Sequence, residues 1–422
     1  MKAVLVALGA LLLAVSCGSP IPRAQGPLPK LGSGLDLFVA GDLQRERGVA
    51  ILDAGSGLLE RRLPMGVLSA DGKRLFAPQG ESLQILDSGS GTQVGDVKLP
   101  RRYELPPATL GGLPGGLSPN GRWLVLQAVE PLRTQAPPRK SLFAVVDTTL
   151  KEKPKTFEAD GFYEFDAVNN AGSNLYLIHH QPGSQNYKVE VYDLVRNRLT
   201  GYSVTDKTEP NEPMYGTRLS GVFSPDGAWL YSVYMNTQKG PFIHALNLND
   251  QYAWCIDLPT QGKGSVGQFM WSLALNPGGS KLYAANAALG LVSEIPLGTN
   301  GKPKVTRTAS VGAAPQARSL FWKDAEAKRL VSSAAAVSPD GRTLYLGDTD
   351  LVALDTASLQ VRSRSLSSWR LQSLAASPDG TWLFVVGEDG RVGRVEMATG
   401  RLAQEFGTGM FPMGLVRVSA RA

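Results

Sequence analysis

One turn pattern recurs seven times in this chain of 422 residues and constrains its fold more than any other feature. It reads LSADGKRLF at 68–76, LSPNGRWLV at 117–125, NNAGSNLYL at 169–177 and FSPDGAWLY at 223–231. It returns as LNPGGSKLY at 275–283, VSPDGRTLY at 337–345 and ASPDGTWLF at 376–384. Each copy carries a polar turn with a Gly, then a Leu three residues after that Gly. Pro presets φ at the second turn position, while Asp, Asn and Gly tolerate the tight conformations that follow. Apolar runs on both sides make each copy a strand–turn–strand hairpin. So many copies in one chain form an internal repeat.

A second turn follows each of the first: an apolar pair, an acid or amide, then small turn residues. It is seen in AILDAGSG (50–57), QILDSGSG (84–91), AVVDTTLK (144–151) and EVYDLVRN (190–197). Later copies are HALNLNDQ (244–251), ALDTASLQ (353–360), GRVEMATG (393–400) and a degraded SEIPLGTN (293–300). The repeating unit is therefore four antiparallel strands, A to D. In GTWLFVV, Trp382, Phe384 and Val386 point one way, Leu383 and Val385 the other. A sandwich strand leaves one face polar; here both are apolar, as in a sheet pressed between two neighbours. Trp123, Trp229 and Trp382 share one column of the repeat and are expected to pack in the core. The fold class is all-β, a β-propeller of radially arranged blades.

The two ends of the repeat complement one another. LDLFVAGD (35–42) enters as a strand B with no strand A before it, and FPMGLVRVS (411–419) reads as a strand A with nothing after it. Their pairing would close the ring, giving eight blades, or seven if the weak stretch near 293–331 is not a blade. Lys323–Arg329, inside the longest interruption (312–333), is a candidate short helix.

Ahead of the repeats, Met1-Lys2 precedes Ala3–Ser16, a run of apolar or small residues. The run suits a signal-peptide core and falls short of the about 20 residues a membrane span needs. Ala14-Val15-Ser16-Cys17 then resembles the lipobox of bacterial lipoproteins. The resemblance implies cleavage before Cys17 and acylation of its sulfur; the alternative is an ordinary secretory signal cut near Ser16. Two or three acyl chains suffice for stable anchoring. The expected organisation is a signal peptide at 1–16, a Pro/Gly-rich tether at 17–34 and a propeller at 35–422, on the extracytoplasmic side of a membrane. The body is expected to be monomeric and to meet the membrane through its anchor alone.

SPDGRTLYLGD…LVALDTASLQ and SPDGTWLFVVGEDGRVGRVEMATGRL resemble the YVTN-type and related WD-repeat-like bacterial β-propellers. The resemblance covers about 35–420 by repeat. It implies the fold and a binding or scaffolding role. Some relatives are lactonases or dehydrogenase subunits, so an enzyme is the alternative. No catalytic residue is carried over.

The chemistry-bearing residues are sparse. Three His and two Cys leave a dedicated metal site poorly supplied, and no cofactor is implied. His179 and His180 are adjacent on a strand and face opposite sides; His244 is alone on another strand. Asp71, Asp226, Asp340 and Asp379 are expected to cap their own turns. Asp348, Asp350 and Asp355 do not match a calcium loop. No nucleophile elbow or phosphate-binding loop occurs. The balance of 43 basic and 37 acidic residues, a net +6, is scattered, which argues against nucleic-acid binding.

One cluster stands out. The D–A connections carry Tyr163, Tyr215, Arg218, Met270, Trp271, Trp369, Arg370 and Phe411, aromatic and Arg residues of the kind enriched where proteins meet partners. Propeller geometry would gather them on one face around the axis, unless they plug the channel and pack between blades. The expected function is an anchored binding module for a protein, peptide or glycan of the cell envelope, without enzymatic activity.

Overall fold

A computed structural model describes residues 34–43, 46–128, 139–181, 184, 186–212, 214–261, 265–298, 301–312 and 334–421. The leader, Cys17 with most of its tether, and Lys323–Arg329 lie outside them. Among the described residues no helix is long and apolar enough to cross a membrane.

Eight antiparallel sheets form the ring. Blade 1 is composite: Phe411–Ala420 is its inner strand, followed outward by Leu35–Leu43, Glu46–Asp53 and Leu59–Pro64. Blade 2 spans Val67–Lys98, blade 3 Trp123–Asp160, blade 4 Phe162–Val204 and blade 5 Thr217–Asp257. Blades 6, 7 and 8 span Trp271–Ser310, Ala334–Ser365 and Leu371–Gly407. Within a blade, strands A to D are counted from the channel outward. Strand starts A and the B–C turns lie at one end of the ring; the SPDG-type A–B turns lie at the other.

The core is eight apolar clusters, one in each gap between consecutive blades. Strand B of blade 8 shows why both faces of a strand are apolar. Phe384 and Val386 pack toward blade 1, while Leu383 and Val385 pack toward blade 7. Trp123 is in the cluster between blades 3 and 4, and Trp229 and Trp382 pack against equivalent clusters.

Ring closure follows the complementarity of the two ends. Leu35↔Ala420, Leu37↔Val418 and Phe38↔Arg417 are in register. Beyond the strand, the Arg421 guanidinium reaches Asp36, Asp53 and Glu60 at 2.9, 2.7 and 2.6 Å. The Arg394 side chain crosses from blade 8 to donate to the Gly55 carbonyl of blade 1 at 3.2 Å.

Two blades depart from the four-strand rule, and both departures cover or fill something. In blade 4, Met214–Tyr215 adds a short pairing with strand C. Just before it, Asp206 forms a parallel bridge with Ala253, on the outer edge of blade 5. That edge would otherwise present unpaired backbone groups. In blade 3, strand A is broken. Glu104 pairs with Gln127 and Leu117 with Leu124, and residues 105–115 leave the sheet between them.

Candidate site in the central channel

The excursion at 105–115 is a hairpin inserted into the channel. Its sequence, LPPATLGGLPG, is dense in residues that bend the chain. Pro107 and Pro114 face each other, the Ala108 amide donates to Leu113 O at 2.7 Å, and Gly112 N donates to Thr109 O at 2.9 Å. The hairpin is tied to blade 5 twice. Leu110 N donates to Leu219 O at 2.8 Å, and Arg218 Nη2 donates to Pro107 O at 2.8 Å. On the opposite wall, a Cβ on Gly414 (φ +154°) would come within 3.0 Å of Leu113. A glycine lets the hairpin seat against blade 1 there.

Two cavities flank this plug. The upper one, about 170 Å³, lies toward the strand-start end and is lined by Leu110, Leu113, Phe269, Trp271, Gln372 and Met413 among others. The lower one, about 270 Å³, lies toward the A–B turns: Leu68, Leu117 and Phe223 on its wall each immediately precede such a turn. Its polar groups are Asp166, Arg218, Ser232 and Arg417.

Asp166 and Arg218 form the buried ion pair of the channel, with Arg218 Nη1 2.9 Å from Asp166 Oδ1. Burial opposes the Arg218 charge, but Asp166 together with Tyr234 and Glu164 outweighs it and holds the guanidinium above its ordinary pKa. A pair of this kind, satisfied by a carboxylate on one side and a carbonyl on the other, fixes geometry more than it adds stability.

The structure separates the aromatic and Arg residues of the D–A connections into three groups. Arg218 and Trp271 line the cavities. Tyr163, Met270 and Trp369 are buried. Tyr163 stacks on His179 at 4.1 Å and donates to Glu190 at 2.9 Å, and burial pushes its phenol well above its ordinary pKa. Trp369 packs between blades 7 and 8 under the Arg391 guanidinium, 4.3 Å from its ring. Tyr215, Arg370 and Phe411 remain at the surface of the strand-start end. Tyr215 is near Thr237, Arg370 is 3.8 Å from Glu388, and Phe411 is 62% exposed.

The histidines are held apart. His179 pairs with Glu190 at 3.0 Å and His180 with Glu164 at 2.7 Å. His244 is buried between blades 4 and 5, where desolvation lowers its pKa and keeps the ring neutral. Cys255 is two strands' width from Ser232 in the same cross-strand row, with its thiol pushed up to about 12 by burial and Asp206. Such a thiol is inert at neutral pH. Among the described residues no group of three or more His, Cys, Asp or Glu is placed to hold a metal ion.

Asp166, Arg417, Leu110 and Met413 are channel residues that repeat reading does not single out. The only hint is the Pro/Gly-dense stretch standing where strand A of blade 3 belongs.

No protein-family model and no curated protein matches the chain. Solved structures do. The dihydro-heme d1 dehydrogenase NirN in complex with DHE aligns with a TM-score of 0.56 and 14% identity, over 95% of this chain and 79% of that one. Apo AztD from Citrobacter koseri aligns with a TM-score of 0.52 and 13% identity, over 92% and 99%. Another structure of Citrobacter koseri AztD gives 0.52 and 11%, over 90% and 96%. At such identities the likeness is one of fold: this chain is an eight-bladed β-propeller of the kind found among bacterial proteins.

Proposed function

We propose that the protein is an exported recognition module, anchored through Cys17, whose strand-start end binds a protein, peptide or glycan of the cell envelope. The observation that carries this reading is the surface beside the upper cavity. Phe411 is 62% exposed on the strand that closes the ring, two residues before Met413 on the cavity wall, and Leu110 on the plug is 40% exposed. An aromatic held on a rigid strand beside a concave apolar site is the arrangement that anchors partners. Tyr215, Arg370 and Phe411 would make the contact, and Trp271 and Arg218 would set the depth of the channel. Tyr163 and Trp369 would brace the blades beneath. The extracytoplasmic address rests on the leader and the Cys17 sequence. The YVTN-like repeat agrees with a binding role.

The test is affinity capture from crosslinked envelopes, with the tag near Gly26 so that ring closure is undisturbed. Phe411→Ala and Arg370→Ala together are expected to abolish a partner that the native chain captures reproducibly. Their melting temperature should be unchanged, since neither side chain is buried. Retention of the partner at native yield would contradict the proposal. The competing reading is a propeller enzyme, and hydrolysis of a lactone by the purified protein would favour it instead.

A further inference from the structure

We infer that the lower cavity is a second site, independent of the envelope partner, and that it takes a small amphipathic carboxylate. Its volume of about 270 Å³ equals roughly nine water molecules at ~30 Å³ each. A buried water needs two to four polar partners, and this cavity offers four polar side chains against a wall of Val67, Leu68, Leu117, Phe165, Phe223 and Val416. Its interior suits an apolar body.

The charge balance specifies the head group. Asp166 and Arg218 neutralise one another at 2.9 Å, and Arg218 spends its other terminal nitrogen on Pro107 O. Arg417 is the remaining charge. Its Nη1 donates to the Ser69 carbonyl at 3.1 Å, and among the described residues it has no carboxylate partner. The guanidinium is also positioned: a Cβ on Gly72 would lie 3.2 Å from its Nε, so the first A–B turn packs against it. A guanidinium with unused planar donors at the rim of an apolar cavity recognises a carboxylate. The head would sit on Arg417 at the A–B turn end. The chain would run inward toward Phe165, Phe223 and the plug prolines.

Isothermal titration of octanoate into the full-length protein tests this directly. The expected result is saturable binding of one octanoate per chain, with octanol and acetate each at least about tenfold weaker, the scale of losing one charge-assisted contact or the apolar body. Arg417→Gln should weaken octanoate by at least about tenfold, and Arg417→Lys, which keeps the charge, should recover part of that loss. No saturable binding by the native chain would overturn the inference. Acetate binding as tightly as octanoate would reduce the site to an ion-only contact, and octanol binding as tightly would reduce it to an apolar hole; either overturns it. The three-ligand comparison on the native chain stands even if the Arg417 variants fail to fold.

Discussion

Aspartates hold the turns on which the repeat depends. Asp71, Asp226, Asp340 and Asp379 each accept a hydrogen bond from the serine two residues earlier and from the backbone N–H two residues later. Those donors hold the four carboxyls below the usual range. At Asp206 burial pulls the other way. The hydrogen bonds from Thr208 and from the Cys255 amide, with Lys302, outweigh it and bring its pKa to about 2. A carboxyl whose native pKa lies below its unfolded one stabilises the fold above the unfolded value, and that stability is lost as pH falls through the native value. Unfolding free energy from urea titrations should therefore be level above about pH 5 and fall between about pH 4 and pH 2. A level profile down to about pH 2 would contradict this role. The caps at Asp71, Asp226, Asp340 and Asp379 were legible in the sequence because their partners lie two residues away; the Asp206 contacts with Cys255 and Lys302 were not. Arg218 was legible as a candidate, yet its partner Asp166 is 52 residues away and belongs to another blade.

At the scale of elements, the hairpins were readable and the plug was not. A strand–turn–strand unit is written in local turn chemistry and alternation, so the seven repeats appear where those patterns place them. The plug has no such code. Its position depends on Leu219 O, Arg218 and the bare backbone of Gly414, contributed by blades 5 and 1. Tyr163 and Trp369 also depend on other blades: their chain positions place them at strand starts, but only the packing of adjacent blades buries them. The register of blade 3 shows the plug to be an insertion. Glu104 faces Gln127, Val125 N donates to Gly116 O, and one residue opposite Leu126 would complete strand A. Replacing residues 105–115 by a single Thr should leave a protein that unfolds in one cooperative thermal transition. It should bind octanoate no better than Arg417→Gln, because the Pro107 and Pro114 wall is gone. Failure of this variant to fold, or native octanoate affinity, would show that the hairpin is not an insert bounding the site.

For the whole molecule, the decisive feature is that one blade is assembled from both ends of the repeat region. The count of eight was legible because the incomplete first and last segments complement each other. The Arg421 clasp on Asp36, Asp53 and Glu60 was not, since it joins residues more than 350 positions apart. Ring closure supplies blade 1 with its inner strand, and it holds the rims of the channel, with Phe411 on one of them, in fixed register. The proposed recognition face and the lower cavity both depend on that closure, because Met413, Val416 and Arg417 belong to the closing strand. The measurement that bears most directly on the account is the thermal unfolding of a chain ending at Met410, followed by near-ultraviolet circular dichroism. Removing Phe411–Ala420 strips the inner strand from Leu37 and Val39 and opens the gap between blades 8 and 1. The closed-ring account predicts loss of the cooperative transition or a fall of at least about 10 °C in Tm, more than a single ~1 kcal/mol contact produces in a domain this size. An unchanged Tm would contradict it.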